Sequence, residues 1–222
     1  APRRRYYRAF NQGRDAHPAQ RRTGEETEES LMDLRRAKTK ISRRLGTYLT
    51  GSVKAFQRRP YRPGQHGTSR VRMKESNFSL QLKEKQKIKA LYGLKEAQLR
   101  RMFKIAARST TNTGEALLKI LEQRADNVLY RSGFTRSRAH ARQLITHGLV
   151  LLNGKRMNIP SAHLKISDTL TLKKGMRESE GQVEKWLKAN ATKKEVTVSA
   201  LPEREQMPTE INEQLIVEYY SR

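Results

Sequence analysis

Positive charge is unevenly spread along this 222-residue chain, and its distribution limits the possible folds and partners more than any other feature. Residues 38–113 carry 20 Lys and Arg against 3 Asp and Glu, and residues 114–177 carry 12 against 4. The flanks are nearly balanced, with 9 against 6 in 1–37 and 6 against 9 in 178–222, and the formal net charge is +25. Charge of this size repels itself in a compact state unless a polyanion takes it up. Nucleic acid, whose phosphates release counterions as they are neutralised, is the natural partner. An even scatter of solubilising lysine does not explain a concentration in the middle of the chain. Binding to an anionic membrane would need a lipid-facing amphipathic helix or a long apolar span, and the sequence has neither.

The hydrophobic fraction of 35% allows real cores but leaves much polar surface. Residues 1–30 combine Arg3, Arg4, Arg5 and Arg8 with the acidic run Glu25-Glu26-Thr27-Glu28-Glu29 and almost no aliphatic residues, so this extension reads as disordered alone. Tyr6, Tyr7 and Phe10 in it either stack on unpaired bases or belong to a solvated tail. It has no apolar signal region, and a start at Ala1 through Met removal or through cleavage leaves an organellar origin open. Residues 52–79, with Pro60, Pro63, Gly64 and Gly67 among arginines, read as an extended basic loop able to follow a phosphate backbone. Residues 80–108 turn helical, with a break at Gly93.

From 113 the punctuation sharpens. Thr113 is placed to cap a helix carrying Leu117, Leu118, Leu121, Ala125, Val128 and Leu129 that ends at Gly133. Thr135 or Ser137 caps a second, ending at Gly148. A hairpin with an Asn153-Gly154 turn follows, then a strand pair at about 163–166 and 169–173. The segment 211–220 reads as a strand or short helix, acidic enough to dock on the protein's own basic domain or on a neighbouring protein. The expected class is α+β: a mainly helical first domain (38–112 with 178–222), an inserted module of two helices on a small, largely antiparallel sheet (113–177), and an N-terminal extension (1–37).

Enzyme signatures are missing. Gly148 and Gly154 have the wrong spacing for a phosphate loop, and no nucleophile elbow surrounds a serine. With no cysteine and with isolated histidines, neither a metal nor a cofactor is expected.

Seven ordered blocks carry a resemblance. They are Pro63-Gly64-Gln65-His66-Gly67, Gln81-Leu82-Lys83-Glu84-Lys85-Gln86-Lys87, Tyr92-Gly93, the run from Leu121 through Asp126 and Asn127 to Arg131, Ala141-Arg142-Gln143-Leu144-Ile145, Val150 to Gly154, and Glu213 to Arg222. Together they strongly resemble the bacterial-type family of small-subunit ribosomal protein four, collinearly over about 38–222. The resemblance implies a primary rRNA-binding protein, not an enzyme, that binds a junction of small-subunit rRNA helices and nucleates assembly of the subunit body. It also implies contacts with ribosomal protein five and other small-subunit proteins, an effect with proteins five and twelve on translational accuracy, and a basic lining near the channel through which mRNA enters. The expected location is the small subunit of a bacterial cytoplasm, with a mitochondrial matrix or chloroplast stroma as the alternative. Many members carry two cysteine pairs near the start, where Thr39-Lys40-Ile41-Ser42-Arg43-Arg44 stands here, so zinc is not implied.

Candidate phosphate contacts are Arg43, Arg44, Arg58, Arg59, Arg70, Arg72, Lys83, Lys85, Lys87, Arg100 and Arg101, since guanidinium pairs bidentately with phosphate and ammonium acts as a point charge. Gln65, His66 and Tyr92 are candidates for sugars or bases. In the module, Arg124, Arg136, Arg138, Arg142 and Lys155 complete the set, with Arg136, Arg138 and Arg142 expected on the exposed side of the second helix. Asp126 reads as holding an arginine, either Arg124 or Arg142. Two alternatives compete: an RNA-modifying enzyme or synthetase bearing the same module, which would need a separate catalytic domain, and a DNA-compacting protein, which explains the charge but not the module. Deleting residues 1–30 is expected to leave the melting temperature of the remainder unchanged; a loss of several degrees in the free protein would assign that segment to the core.

Overall fold

The computed structural model describes residues 38–49, 53–68, 75–173, 183–208 and 210–221. All of them belong to one compact unit spanning 36–222. The N-terminal extension, Arg70 and Arg72 lie outside the described residues.

Helices α1 (Lys38–Leu45) and α2 (Val53–Arg58) come first, so part of the expected extended loop is helical. Helix α3 (Asn77–Tyr92) begins where the Ser76 side chain accepts a hydrogen bond from the Ser79 amide. It stops at Gly93, whose left-handed backbone (φ 60°) returns its N–H to the Lys89 carbonyl. Helix α4 (Glu96–Ala106) and helix α5 (Thr113–Glu122) follow, and Asn112 rather than Thr113 supplies the cap by accepting from the Gly114 amide. Ile88, Tyr92, Leu99, Leu117, Leu118 and Leu121 form a core that Met207, Ile211 and Ile216 complete from the far end of the sequence. Ile216 belongs to helix α8 (Glu213–Tyr220), which packs on α3 and α5.

The single helix expected over 113–133 is two. Helix α6 (Ala125–Arg131) starts afresh after an extended Arg124, because tertiary carbonyls claim its first amides. Ala125 N–H donates to Ala162 O and Asp126 N–H to Pro160 O, while Leu164 N–H returns to Gln123 O. Helical continuity is lost where outside partners satisfy the same groups. Helix α7 (Arg138–Thr146) is capped by Ser137, which accepts from the His140 amide.

Among the described residues, five antiparallel strands complete the second core in the order β2-β1-β3-β5-β4. β1 (Val150–Leu152) and β2 (Lys155–Met157) flank Asn153-Gly154, both at positive φ as a two-residue hairpin turn demands. β3 (Thr169–Leu172) pairs with β1 and with β5 (Glu195–Val198), and β4 (Leu187–Asn190) pairs with β5. The expected strand at 163–166 is absent: Asp168 accepts from the Lys165 amide and Ser167 turns at φ 72°, which folds that segment away from the sheet.

Two boundaries therefore move. Helix α5 belongs to the helical core, since its leucines pack there, so the module starts near 123 rather than 113. Trp186, Leu187, Val196 and Val198 join Val128, Leu129, Leu144, Ile145 and Leu170, so the module runs past 177 to about 200. Leu187→Ala should thus cost about 2–5 kcal/mol of stability. Denaturant unfolding followed by fluorescence of Trp186, the only tryptophan, reads this directly; a loss well below that range would detach β4 from the module core.

Candidate nucleic-acid interface

On the helical core, cations stand outward from α1, α2 and α4. Arg44, Arg58 and Arg59 are exposed, and so are Gln65 and His66. Arg43 is half-buried: its Nε–H donates to Tyr61 O at 2.9 Å, and its guanidinium lies 4.8 Å from the centre of the Tyr61 ring. It thereby ties the loop after α2 to α1. The turn in that loop requires glycine at 67, where a Cβ would overlap the Arg62 carbonyl oxygen at 1.9 Å. Along α4, Arg100 and Arg101 are exposed together with Lys104 and, one turn on, Arg108. The last two were not among the expected contacts, yet they continue the spacing of Arg101 at three and seven residues along the same face.

Other candidates point inward. Tyr92 is 1% exposed, and its hydroxyl donates to Glu122 at 2.6 Å. Burial and the Glu122 charge push its pKa well up, so it is a neutral donor locked in the core. Lys85 is buried beneath α8, with Nζ 3.1 Å from the Tyr219 hydroxyl, 3.2 Å from Glu96 and 4.4 Å from the Tyr219 ring centre. Arg124 is 3% exposed and is spent on Asp126 through bonds of 3.0 and 2.8 Å. Lys83 pairs with Glu75 at 3.4 Å, and Lys87 with Glu84 and the Glu210 carbonyl. Tyr92, Lys85 and Arg124 are therefore closed to a phosphate or base in this fold, against the expectation that they contact RNA. Helical spacing could not separate the buried Lys85 from the partly exposed Lys83 and Lys87 on so basic a helix.

In the module, Arg136 is exposed but precedes α7 instead of lying on it, and Lys155 and Arg156 are exposed as well. Arg138 and Arg142 do not stand on a free face, as the sequence had suggested. Arg138 donates to Asn127 Oδ1 at 2.6 Å, with its guanidinium 4.5 Å from the Tyr130 ring centre and 5.0 Å from that of Tyr92. Arg142 donates to Asp126 at 2.8 and 3.1 Å and reaches the Tyr92 and Gly93 carbonyls at 2.9 and 3.0 Å. Asp126 thus holds both Arg124 and Arg142, where the sequence offered one or the other. Glu122 links the cores beside it, accepting from Tyr92, from Asn127 and from Nε and Nη2 of Arg131. Among the described residues no group of carboxylates and histidines has the arrangement of a metal site.

The model for the "Ribosomal protein S4/S9 N-terminal domain" matches residues 33–122, and that for the "S4 domain" matches 123–170. The junction between them falls where α5 gives way to α6. The small ribosomal subunit protein uS4 of Geobacillus sp. (strain WCH70) is 47% identical over 192 residues, covering 82% of this chain and 96% of the relative. The chain belongs to the ribosomal protein S4 family. The uS4 proteins of Christiangramia forsetii and Mycobacterium bovis are 45% and 46% identical over 194 and 195 residues, each alignment covering 83% of this chain and 96% of the relative. The family is one of ribosomal structural proteins, which are not enzymes.

Two carboxylates anchor the C-terminal segment. Arg204 hydrogen bonds hold Glu213 below its ordinary pKa of 4.5 against the pull of partial burial. Burial would raise Glu96, but bonds from Lys89 and Tyr220 and the charge of Lys85 bring it below 4.5 as well. A carboxylate with a depressed folded pKa binds protons more readily when unfolded, so its stabilisation is present above pH 4.5 and is lost as pH falls through the folded value. Stability measured in denaturant should decline on acidification below 4.5, and Glu213→Gln should flatten part of that decline. An unchanged profile in the variant would remove Glu213 from the account.

Proposed function

We propose that this chain is a structural constituent of the small ribosomal subunit that binds its rRNA directly. On this reading it nucleates assembly of the subunit body, contacts ribosomal protein five, affects accuracy with proteins five and twelve, and lines the channel through which mRNA enters. A bacterial cytoplasm is the favoured setting, with a mitochondrial matrix or chloroplast stroma as the alternative. The observation that carries the RNA-binding part is the excess of 20 basic over 3 acidic residues in 38–113, with Arg44, Arg58, Arg59, Arg100, Lys104 and Arg108 exposed on one core. Phosphate contacts of this kind supply affinity and position, and sequence readout is secondary. Arg136, Lys155 and Arg156 extend the same chemistry onto the module. Gln65 and His66, held out by the Gly67 turn, are proposed to meet sugars or bases. Arg70 and Arg72 stay in the proposed set on charge alone.

Affinity for small-subunit rRNA should fall steeply with salt, and duplex DNA should compete poorly. Replacing Arg100, Lys104 and Arg108 together by Gln should make the log–log salt slope shallower by about 0.7–0.9 for each phosphate that is no longer neutralised. A parent slope near zero would sink the electrostatic basis of this function.

A further inference from the structure

The two cores meet across a seam of charge. At its centre the Arg142 guanidinium joins Asp126 of the module to the last carbonyls of α3, those of Tyr92 and Gly93. Three features make this a fitted contact. A cation is favoured at the negative end of a helix, and α3 is a full 16 residues long. Asp126, with its side chain 3% exposed, is fixed from its other side by Arg124. A Cβ at residue 93 would come within 2.7 Å of Arg142 Nη1, so the left-handed glycine that ends α3 also makes room for the guanidinium.

Guanidinium carries five N–H donors. Four of the Arg142 donors are engaged: Nε with Asp126, Nη1 with Gly93, and Nη2 with both Asp126 and Tyr92. What remains is a single N–H, poorly suited to the bidentate grip on phosphate for which arginine is otherwise the preferred residue.

We propose that Arg142 is a positioning residue for RNA binding, clamping the module to the C-terminal end of α3 so that the cations of both cores meet the RNA as one preset surface. The proposal rests on the rRNA-binding reading above. Its energetic basis is preorganisation: a surface already in its bound geometry does not lose orientational freedom on association. Arg142 then contributes to affinity without neutralising a phosphate, and this separates it from Arg136 a few residues away.

The test uses the full chain and small-subunit rRNA, with affinity measured across a salt series. Arg142→Gln should bind on the order of tenfold more weakly at every salt concentration, with a slope parallel to that of the parent. Arg142→Lys should be impaired in the same way, because one ammonium cannot span a carboxylate and two carbonyls. Arg136→Gln should instead flatten the slope by about 0.9. The chain has no cysteine, so spin labels at Ala97→Cys and Lys193→Cys report the spacing of the two cores without RNA. That distance distribution should broaden in the Arg142 variants while Trp186 fluorescence stays native. If Arg142→Gln does not fold, Arg142→Lys carries the same comparisons. A flattened slope in Arg142→Gln with affinity retained in Arg142→Lys would make Arg142 an ordinary phosphate contact and overturn the proposal. Unchanged affinity, or an unbroadened distance distribution, would overturn it equally. Failure of the parent chain to bind rRNA would defeat the function itself, whereas the slopes and distances decide about Arg142.

Discussion

Asp126 carries a charge into an interior where a lone carboxylate would be untenable, and the surroundings answer with two guanidiniums. Removing one partner from such a buried group typically costs about 3–5 kcal/mol, because the remaining charge is left uncompensated. The geometry of the seam follows from that constraint. Arg124 is extended in the break between α5 and α6 that the carbonyls of residues 160 and 162 impose, and from there its guanidinium reaches the carboxylate. Arg142 must lie along the junction, which places α7 over the end of α3. Beside them Glu122, 1% exposed, collects Tyr92, Asn127 and Arg131, and burial of Arg131 is offset by the Glu122 charge that raises its pKa. The cores are joined by polar pairs of defined direction more than by shared apolar surface, and such pairs fix orientation where apolar contact would tolerate sliding.

In a chain this basic, the arginines divide into two populations that composition does not distinguish. Those facing carboxylates hold the molecule together, and those left outside face the solvent and any polyanion there. The scarce acids make much of the division. Glu75, Glu84, Glu96, Glu122 and Asp126 each engage nearby cations, Arg43 and Arg138 are held by neutral oxygens and tyrosine rings, and Arg44, Arg58, Arg59 and Arg100 stand exposed.

Much of this was legible in the sequence. The Asn153-Gly154 hairpin, the stops at Gly93, Gly133 and Gly148 and the α+β class follow from local chemistry, which short-range patterns record well. The run 113–131 misled because its apolar spacing is continuous through Gln123; the break is imposed by carbonyls of residues 160 and 162, distant in sequence. Strands β4 and β5 escaped notice although Val196 and Val198 of β5 alternate as the buried face of a strand does. At the candidate interface, Arg44, Arg58, Arg100 and Arg136 met the exposure that a phosphate contact requires. Lys85 and Tyr92 did not, since only the docking of α8 and the presence of Glu122 decide that these groups lie inside.

The interleaving of the two cores has a consequence for biogenesis. Residues 123–200 are contiguous and contain everything the module packs, whereas the helical core waits for Met207, Ile211 and Ile216. On a chain emerging at roughly 5–20 residues per second, the module can therefore finish folding while α3, α4 and α5 still expose the apolar groove that α8 will fill. During that interval the most basic part of the protein is also its least complete, so nascent chains have a period in which premature contact with RNA competes with their own closure.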